Sequence, residues 1–384
     1  MKTVRADKYC KFVTDGTHDS PKQVNKGRKL ITSKHLSRYG IDFESAKNIS
    51  ELDYQKVISR SKVEQWDILF SMIGTIGNLY LERNHTIEYA CKNMGIFQMG
   101  GDERKAKWLY YYLQTPKARK YIETSGRGTT QSYVPLAALR ALPIDVVDDF
   151  TRDKIIKILW NIDEKILTNM QVNENLLQQA VAVFNKFYDT STNLQPFTTL
   201  INVLGGGTPK TGNPEFWDGS IPFFTPKDVG TPYTFKTEKY ITEAGLNHCN
   251  SRLYPQNTTF VTARGTVGKI SLAGSPMAMN QSCYALASKI VDPLLVYFYV
   301  LKAVTSLKHK ASGAVFDAIV TRDFDGEMIN ILSDTDSESA LSIIKPMMEA
   351  IHNNSKENMR LSAVRDALLP KLISGEIDVS SLDI

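Results

Sequence analysis

Apolar and polar positions alternate most regularly over residues 155–183. Ile155, Leu159, Ile162, Ile166, Asn169, Asn173, Leu176, Ala180 and Val183 follow one another in steps of four and three without a slip. That is the spacing of a coiled-coil seam. So narrow a stripe predicts a long helix that cannot bury its apolar face alone and needs a partner. A second ladder lies 185 residues on, at Ala340, Ile344, Met347, Ile351, Asn354, Asn358, Leu361, Arg365 and Leu368. It repeats even the two adjacent polar rungs, which marks an internal duplication. If the two helices run antiparallel, Asn169 falls across from Asn358 and Asn173 from Asn354. Asparagine in a seam lowers stability while fixing register, so these four side chains are candidate register pins. Pro346 sits early in the second ladder, so the regular helix there is expected to begin near it or to kink. Ala340 and Ile344 are then the least secure rungs.

Outside the ladders the periodicity shortens. Residues 1–147 carry many glycine turn signals, with strand-like runs at 29–32, 67–73 and 78–81 and one helix expected over 105–121. Pro143 is read as closing this segment, and Asp148-Asp149 as the acidic start of the first long helix. Residues 190–332 repeat the plan. Gly16-Thr17 parallels Gly207-Thr208, and Leu30-Ile31-Thr32-Ser33-Lys34 parallels Phe223-Phe224-Thr225-Pro226-Lys227. Further on, Phe70 to Gly77 parallels Val261 to Gly268, Leu109 to Leu113 resembles Val296 to Val300, and Ser125-Gly126 resembles Ser312-Gly313. The expected fold class is therefore α+β: two homologous globular domains, 1–147 and 190–332, with helical segments at 148–189 and 333–384.

Charge sharpens this division. Of the 384 residues, 1–147 hold 24 Lys and Arg against 15 Asp and Glu, net +9, and 190–332 carry net +2. The helical segments carry −2 and −4. Basic globular parts suit nucleic acid and acidic helices suit protein, against the plainer reading of an uneven surface charge. The longest apolar run, 294–301, is far too short to span a membrane, and a cytoplasmic protein is expected. Cys10, Cys91, Cys249 and Cys283 form no CxxC pair, so neither a zinc site nor a disulfide framework is expected.

A search for catalytic chemistry largely fails. Asn213-Pro214-Glu215-Phe216 departs from the Asn-Pro-Pro-aromatic motif of amino-methyltransferases. The glycines at 205–207 are followed by Thr-Pro rather than by the remainder of a phosphate loop. No serine lies in a nucleophile elbow. The Gly-Thr-Ile-Gly and Gly-Thr-Val-Gly turns are better candidates, because paired glycines allow close backbone approach and Thr75 or Thr266 could donate to a phosphate. A tight hairpin between core strands explains the glycines equally well. Arg264 could reach a guanine edge or a phosphate. Lys34 and Lys227, at matched places after a strand, are candidate phosphate contacts, and His35 in one copy stands where the other has Asp228, so the two domains would read different bases if that position touches DNA. Thr17, His18, Lys22, Arg127, Thr208 and Lys210 complete the candidate DNA-binding set.

The segments Gly207-Thr208-Pro209-Lys210, Phe216-Trp217-Asp218-Gly219-Ser220-Ile221-Pro222-Phe223, Thr225-Pro226-Lys227-Asp228-Val229, Arg264-Gly265-Thr266-Val267-Gly268 and the closing Leu368 to Ile377 resemble the specificity subunits of type I restriction-modification systems. The resemblance runs the full length, and the first copy is the more divergent, with Asp15-Gly16-Thr17-His18 at the matching place. It implies two target-recognition domains, held apart by two antiparallel helices, each reading half of a split double-stranded DNA site. It implies that two methyltransferase subunits dock on the helices and that a restriction motor-nuclease subunit joins them. S-adenosylmethionine, ATP and magnesium would then belong to those partners, with no cofactor, metal or catalytic residue in this chain. At about 1.5 Å per residue the 29-residue ladder measures roughly 43 Å, comparable with one turn of B-DNA at about 34–36 Å. A caliper follows from these two lengths. A stand-alone DNA-binding or scaffolding protein on a coiled coil is the alternative; a nuclease or methyltransferase with an unrecognised site ranks behind it.

Overall fold

The computed structural model describes residues 2–128, 132–310 and 318–382. Its two longest elements are helices Asp149–Thr190 and Asp334–Ser374. Asp148 Oδ1 accepts the Thr151 amide at 2.9 Å and caps the first helix, which satisfies one of its unpaired N-terminal donors. The chain divides into two compact units, Met1–Leu167 with Leu361–Ile384, and Thr168–Arg360, each taking part of both helices.

In the first unit an antiparallel sheet has the order Phe12–Asp15, Met94–Gln98, Ile68–Ser71, Leu79–Leu81. A smaller sheet sets Arg28–Ile31 between Asn48–Ile49 and Tyr89–Cys91, the latter pairing being parallel. Lys2–Arg5 pairs with Pro143–Val146, so Pro143 opens a strand instead of closing the segment. The expected helix over 105–121 is two helices, Glu103–Tyr112 and Pro116–Ser125. Thr115 caps the second through its side chain and Pro116 begins it, a signal for a fresh start rather than for continuation.

The second unit repeats the topology strand for strand. The order is Ile201–Gly205, Cys283–Ser288, Thr259–Thr262, Ile270–Ala273, with Tyr233–Thr234 added as a fifth strand. Trp217–Phe224 lies between Lys239–Ile241 and Ala278–Met279, again with one parallel pairing. Leu194–Pro196 pairs with Met328–Asn330. One continuous helix, Pro293–Lys310, stands where the first unit has two. Ser312-Gly313 lies outside the described residues.

Registers pin the repeat. Leu30 pairs with Ala90 and Ile31 with Cys91, as Phe223 pairs with Ala278 and Phe224 with Met279. The amide bonded to the matching carbonyl is Thr17 in one copy (Cys91 O, 2.9 Å) and Gly207 in the other (Met279 O, 3.2 Å). The sequence alignment at this loop therefore slips by one residue: Thr17 corresponds to Gly207, and Gly16 to Gly206. Steric crowding agrees, because a Cβ would come within 2.3 Å of Cys91 O at Gly16 and within 2.7 Å of the matching Met279 O at Gly206.

Within each unit the long helices pack antiparallel. In the first, Ile155 and Leu159 share a core with Leu369, Leu372 and Ile373, and Arg365 Nη1 meets Asp163 Oδ1 at 2.7 Å with both side chains almost wholly buried. Asp163 also accepts the hydroxyls of Tyr39 (3.0 Å) and Tyr111 (2.8 Å). In the second, Asn169 Nδ2 donates to Asn358 Oδ1 (2.8 Å) and Glu357 Oε2 (2.7 Å), and Asn354 Nδ2 donates to Asn173 Oδ1 (2.9 Å). Beyond these, Ala180 and Phe184 share a core with Ala340, Ile344, Met348 and Ile351. Ala340 and Ile344 are fully buried, so they are secure rungs. The helix runs unbroken through Pro346, which is exposed together with Ser342. The carbonyl that proline leaves without a helical donor therefore faces water, where its loss is cheapest.

Candidate nucleic-acid interface

Loops at one end of the sheets gather most of the candidate residues. In the first unit the chain leaves Phe12–Asp15 through Gly16, Thr17 and His18 and crosses the exit of Tyr89–Cys91. The Asn93 amide donates to Thr17 O (3.1 Å), and Lys92 N donates to Ile31 O (2.8 Å). Ser33-Lys34-His35 follows Arg28–Ile31 into the same cluster. The Thr75 turn closes the hairpin between Ile68–Ser71 and Leu79–Leu81, with Gly74 and Gly77 at φ 79° and 93°. These are left-handed values that favour glycine, and the second-unit glycines match them, Gly265 at 81° and Gly268 at 73°. The hairpin thus accounts for the glycines, and Thr75 and Thr266 stand exposed on its tip. Ser71 Oγ and Thr262 Oγ1 each donate to the threonine carbonyl of their own turn. The segment holding Arg127 joins the turn through Tyr133, whose backbone bridges both Arg127 and Ile73. Lys22 is exposed farther along the first loop.

In the second unit Thr208, Lys210, Lys227, Arg264 and Thr266 are all exposed. Thr208 Oγ1 donates to Gln281 Oε1. Thr266 Oγ1 donates to Pro226 O at 3.5 Å, tying the hairpin to the Lys227 loop. Lys227 lies 3.5 Å from Glu238, so part of its charge is already balanced. The Lys210 carbonyl accepts the Trp217 indole N–H at 3.2 Å, which holds the backbone and leaves the ammonium outside.

His35 and Asp228 do not face outward as a base-reading pair. Each closes its own turn: the Thr32 amide donates to His35 Nδ1 (2.9 Å), and the Thr225 amide donates to Asp228 Oδ2 (2.8 Å). Burial pushes the His35 imidazole below its ordinary value, and neighbouring Lys34 pushes the same way, opposed by Asp42. The folded state therefore binds this proton less readily than the unfolded chain. The stability that His35 gives is complete above about pH 6.5 and is lost as pH falls through the depressed folded value. Thermal melts across this window should show the midpoint falling in acid. His35→Asp, the second copy's own solution, should remove that component of the slope; an unchanged profile would show that His35 is not its source.

Sequence reading missed several groups in the cluster. Arg60 Nη2 donates to Gly16 O at 3.0 Å and approaches Asp15 Oδ1 at 3.4 Å. Together with Lys56, Thr17, His18 and Asp19 it lines an open groove of about 770 Å³. Lys92, Asn93 and Gln281 were also missed. The available signal was the polar pair directly after each copy's short strand, Lys92-Asn93 after Cys91 and Asn280-Gln281 after Met279. Among the described residues no three His, Cys, Asp or Glu side chains are grouped to hold a metal, and no helix is long and apolar enough to cross a membrane.

Comparisons with known proteins agree with this geometry. The model of the type I restriction modification DNA specificity domain matches twice, over residues 22–178 and 198–359. The specificity subunit of the type I restriction enzyme MjaIX from Methanocaldococcus jannaschii is 28% identical over 42% of this chain and 39% of its own length. The HindI specificity subunit from Haemophilus influenzae is 20% identical over 86% of this chain and 90% of its own. Among solved structures, the S subunit of a type I restriction-modification system from M. genitalium superposes with a TM-score of 0.53 at 15% identity, over 97% of this chain and 95% of that one, a likeness of fold. Two matched specificity domains, a duplicated α+β fold and basic strand-end loops place the chain in one family: it belongs to the type I restriction-modification specificity subunits, the non-catalytic DNA-recognising members of these enzymes.

Proposed function

We propose that this chain reads an interrupted, asymmetric DNA sequence, one half-site for each globular domain, bounded near 1–147 and 190–332. The observation that carries the reading is the strand-for-strand repeat with different side chains at matched loop positions, His18 against Thr208 and Lys92-Asn93 against Asn280-Gln281. Equal scaffolds with unequal loops suit two different half-sites. Thr17, Lys22, Lys34, Thr75, Arg127, Lys210, Lys227, Arg264 and Thr266 are assigned to DNA contact, and Asn169, Asn173, Asn354 and Asn358 to helix register. The long helices dock two methyltransferase subunits and, through them, the motor-nuclease subunit. S-adenosylmethionine, ATP and magnesium serve those partners, and the complex works in the cytoplasm, where host DNA lies.

Exchanging residues 190–332 for those of a relative is the test. Sequencing of methylated host DNA should show one half of the site replaced and the other kept. Alteration of both halves would overturn independent recognition by the two domains.

A further inference from the structure

At the strand ends of both units a carboxamide is held by the facing loop. In the first unit His18 Nδ1 lies 3.0 Å from Asn93 Oδ1, while His18 Nε2 lies 2.9 Å from Asp15 Oδ2. In the second, Thr208 Oγ1 donates to Gln281 Oε1. The match extends to the backbone, since His18 and Thr208 each follow the residue whose amide bonds to the strand carbonyl, Cys91 O or Met279 O. Conformation alone explains only one of these amides. Asn93 has φ 54°, a value asparagine tolerates, but Gln281 is not among the positive-φ residues. What the two copies share is a tethered amide.

A carboxamide has two acceptor lone pairs and two N–H donors, so one tether leaves most of its capacity unused. Asn93 is half-buried and Gln281 is exposed, and each stands in a loop cluster that also holds exposed lysines, Lys34 in one unit and Lys227 in the other. Lysines suit phosphates, and phosphate contacts carry no sequence information. A carboxamide suits the major-groove edge of adenine, where it donates to N7 and accepts from the N6 amino group. Its tether fixes the rotamer before DNA arrives, which reduces the ordering cost of binding.

We infer that Asn93 and Gln281 are base-reading side chains, one for each half-site, that hydrogen-bond an adenine edge, with His18 and Thr208 as the residues that position them. This rests on the split-site reading proposed above.

The test uses the full chain co-expressed with its methyltransferase partner, with methylated sites mapped by single-molecule sequencing. The unmodified chain comes first: a site that is not split overturns the parent reading whatever the variants do. Given a split site, Asn93→Ala should lose discrimination for adenine about tenfold to a hundredfold at one position of one half. Gln281→Ala should do the same in the other half. The untouched half reports that the complex is folded. Asn93→Asp, which can only accept, should move the preference at that position from adenine towards cytosine, a change that misfolding does not produce. His18→Ala should weaken the same base as Asn93→Ala, and less severely. Should Asn93→Ala abolish methylation altogether, Asn93→Gln, which keeps the amide, must restore it. Unchanged discrimination, loss at a base other than adenine, blurring of both halves, or failure of that restoration would each overturn the assignment.

Discussion

Replacing Asp163 with alanine is expected to destabilise the protein by about 3 kcal/mol, the low end for breaking a buried pair, because the buried Arg365 guanidinium would keep only the exposed Asp366 carboxylate, 2.8 Å away, to balance it. The loss goes beyond one ion pair, since Asp163 also accepts the Tyr39 and Tyr111 hydroxyls. Chemical denaturation read by circular dichroism checks the magnitude. The double variant Asp163→Leu, Arg365→Met should recover much of the loss, because removing a buried pair together is far less costly than orphaning one member. A single variant within about 0.5 kcal/mol of the unmodified chain would mean that Asp366 alone balances Arg365 and that Asp163 does not hold the seam.

The second large effect concerns the DNA spacer. Insertion of four residues into the first long helix between Asp163 and Asn169, with a matched insertion between Asn358 and Arg365 in the second, leaves every named seam pair within its own unit. Each insertion adds about 6 Å of helix, close to two base pairs at roughly 3.4 Å each. The expected result is a methylated site with both half-sites intact and an unread spacer about two base pairs longer. An unchanged spacer would sink the caliper.

Much of the fold was legible because its signals are local. Leu30 to Lys34 and Phe223 to Lys227 matched in sequence, and their registers match in space, because each is a buried strand running into a turn capped by its own fourth residue. The glycine turns were visible for a similar reason. The one-residue slip at Gly16 was not, since what makes Gly16 and Gly206 equivalent is a carbonyl on a distant strand. Pro346 misled in the other direction. Its cost depends on which face of the helix it occupies, and only the packing reveals that face.

The heptad was also too narrow a description. Ile162, Met347 and Val183 are only half-buried, while the next positions, Asp163, Met348 and Phe184, are the fully buried ones. A helix with 3.6 residues per turn drifts from a 3.5 repeat, and these helices also pack against their own globular units. Phe184, for example, stacks on Phe298 and meets Tyr299 edge-on. The polar pairs holding the amides were visible in the sequence, but their tethers were not, because Asn93 lies 75 residues from His18 and Gln281 lies 73 from Thr208.

The seam's chemistry differs between the units in a way that temperature can read. In the first unit the buried Asp163–Arg365 pair lies in the seam, and in the second Ala180 and Met348 lie together in an apolar core rich in aromatic rings. Apolar contacts weaken on cooling, whereas the desolvation penalty of a buried pair falls on heating. Cold should therefore loosen the helix pair first beside Ala180, and heat should leave the Asp163 end comparatively firm. The duplicated protein has, in effect, one summer end and one winter end.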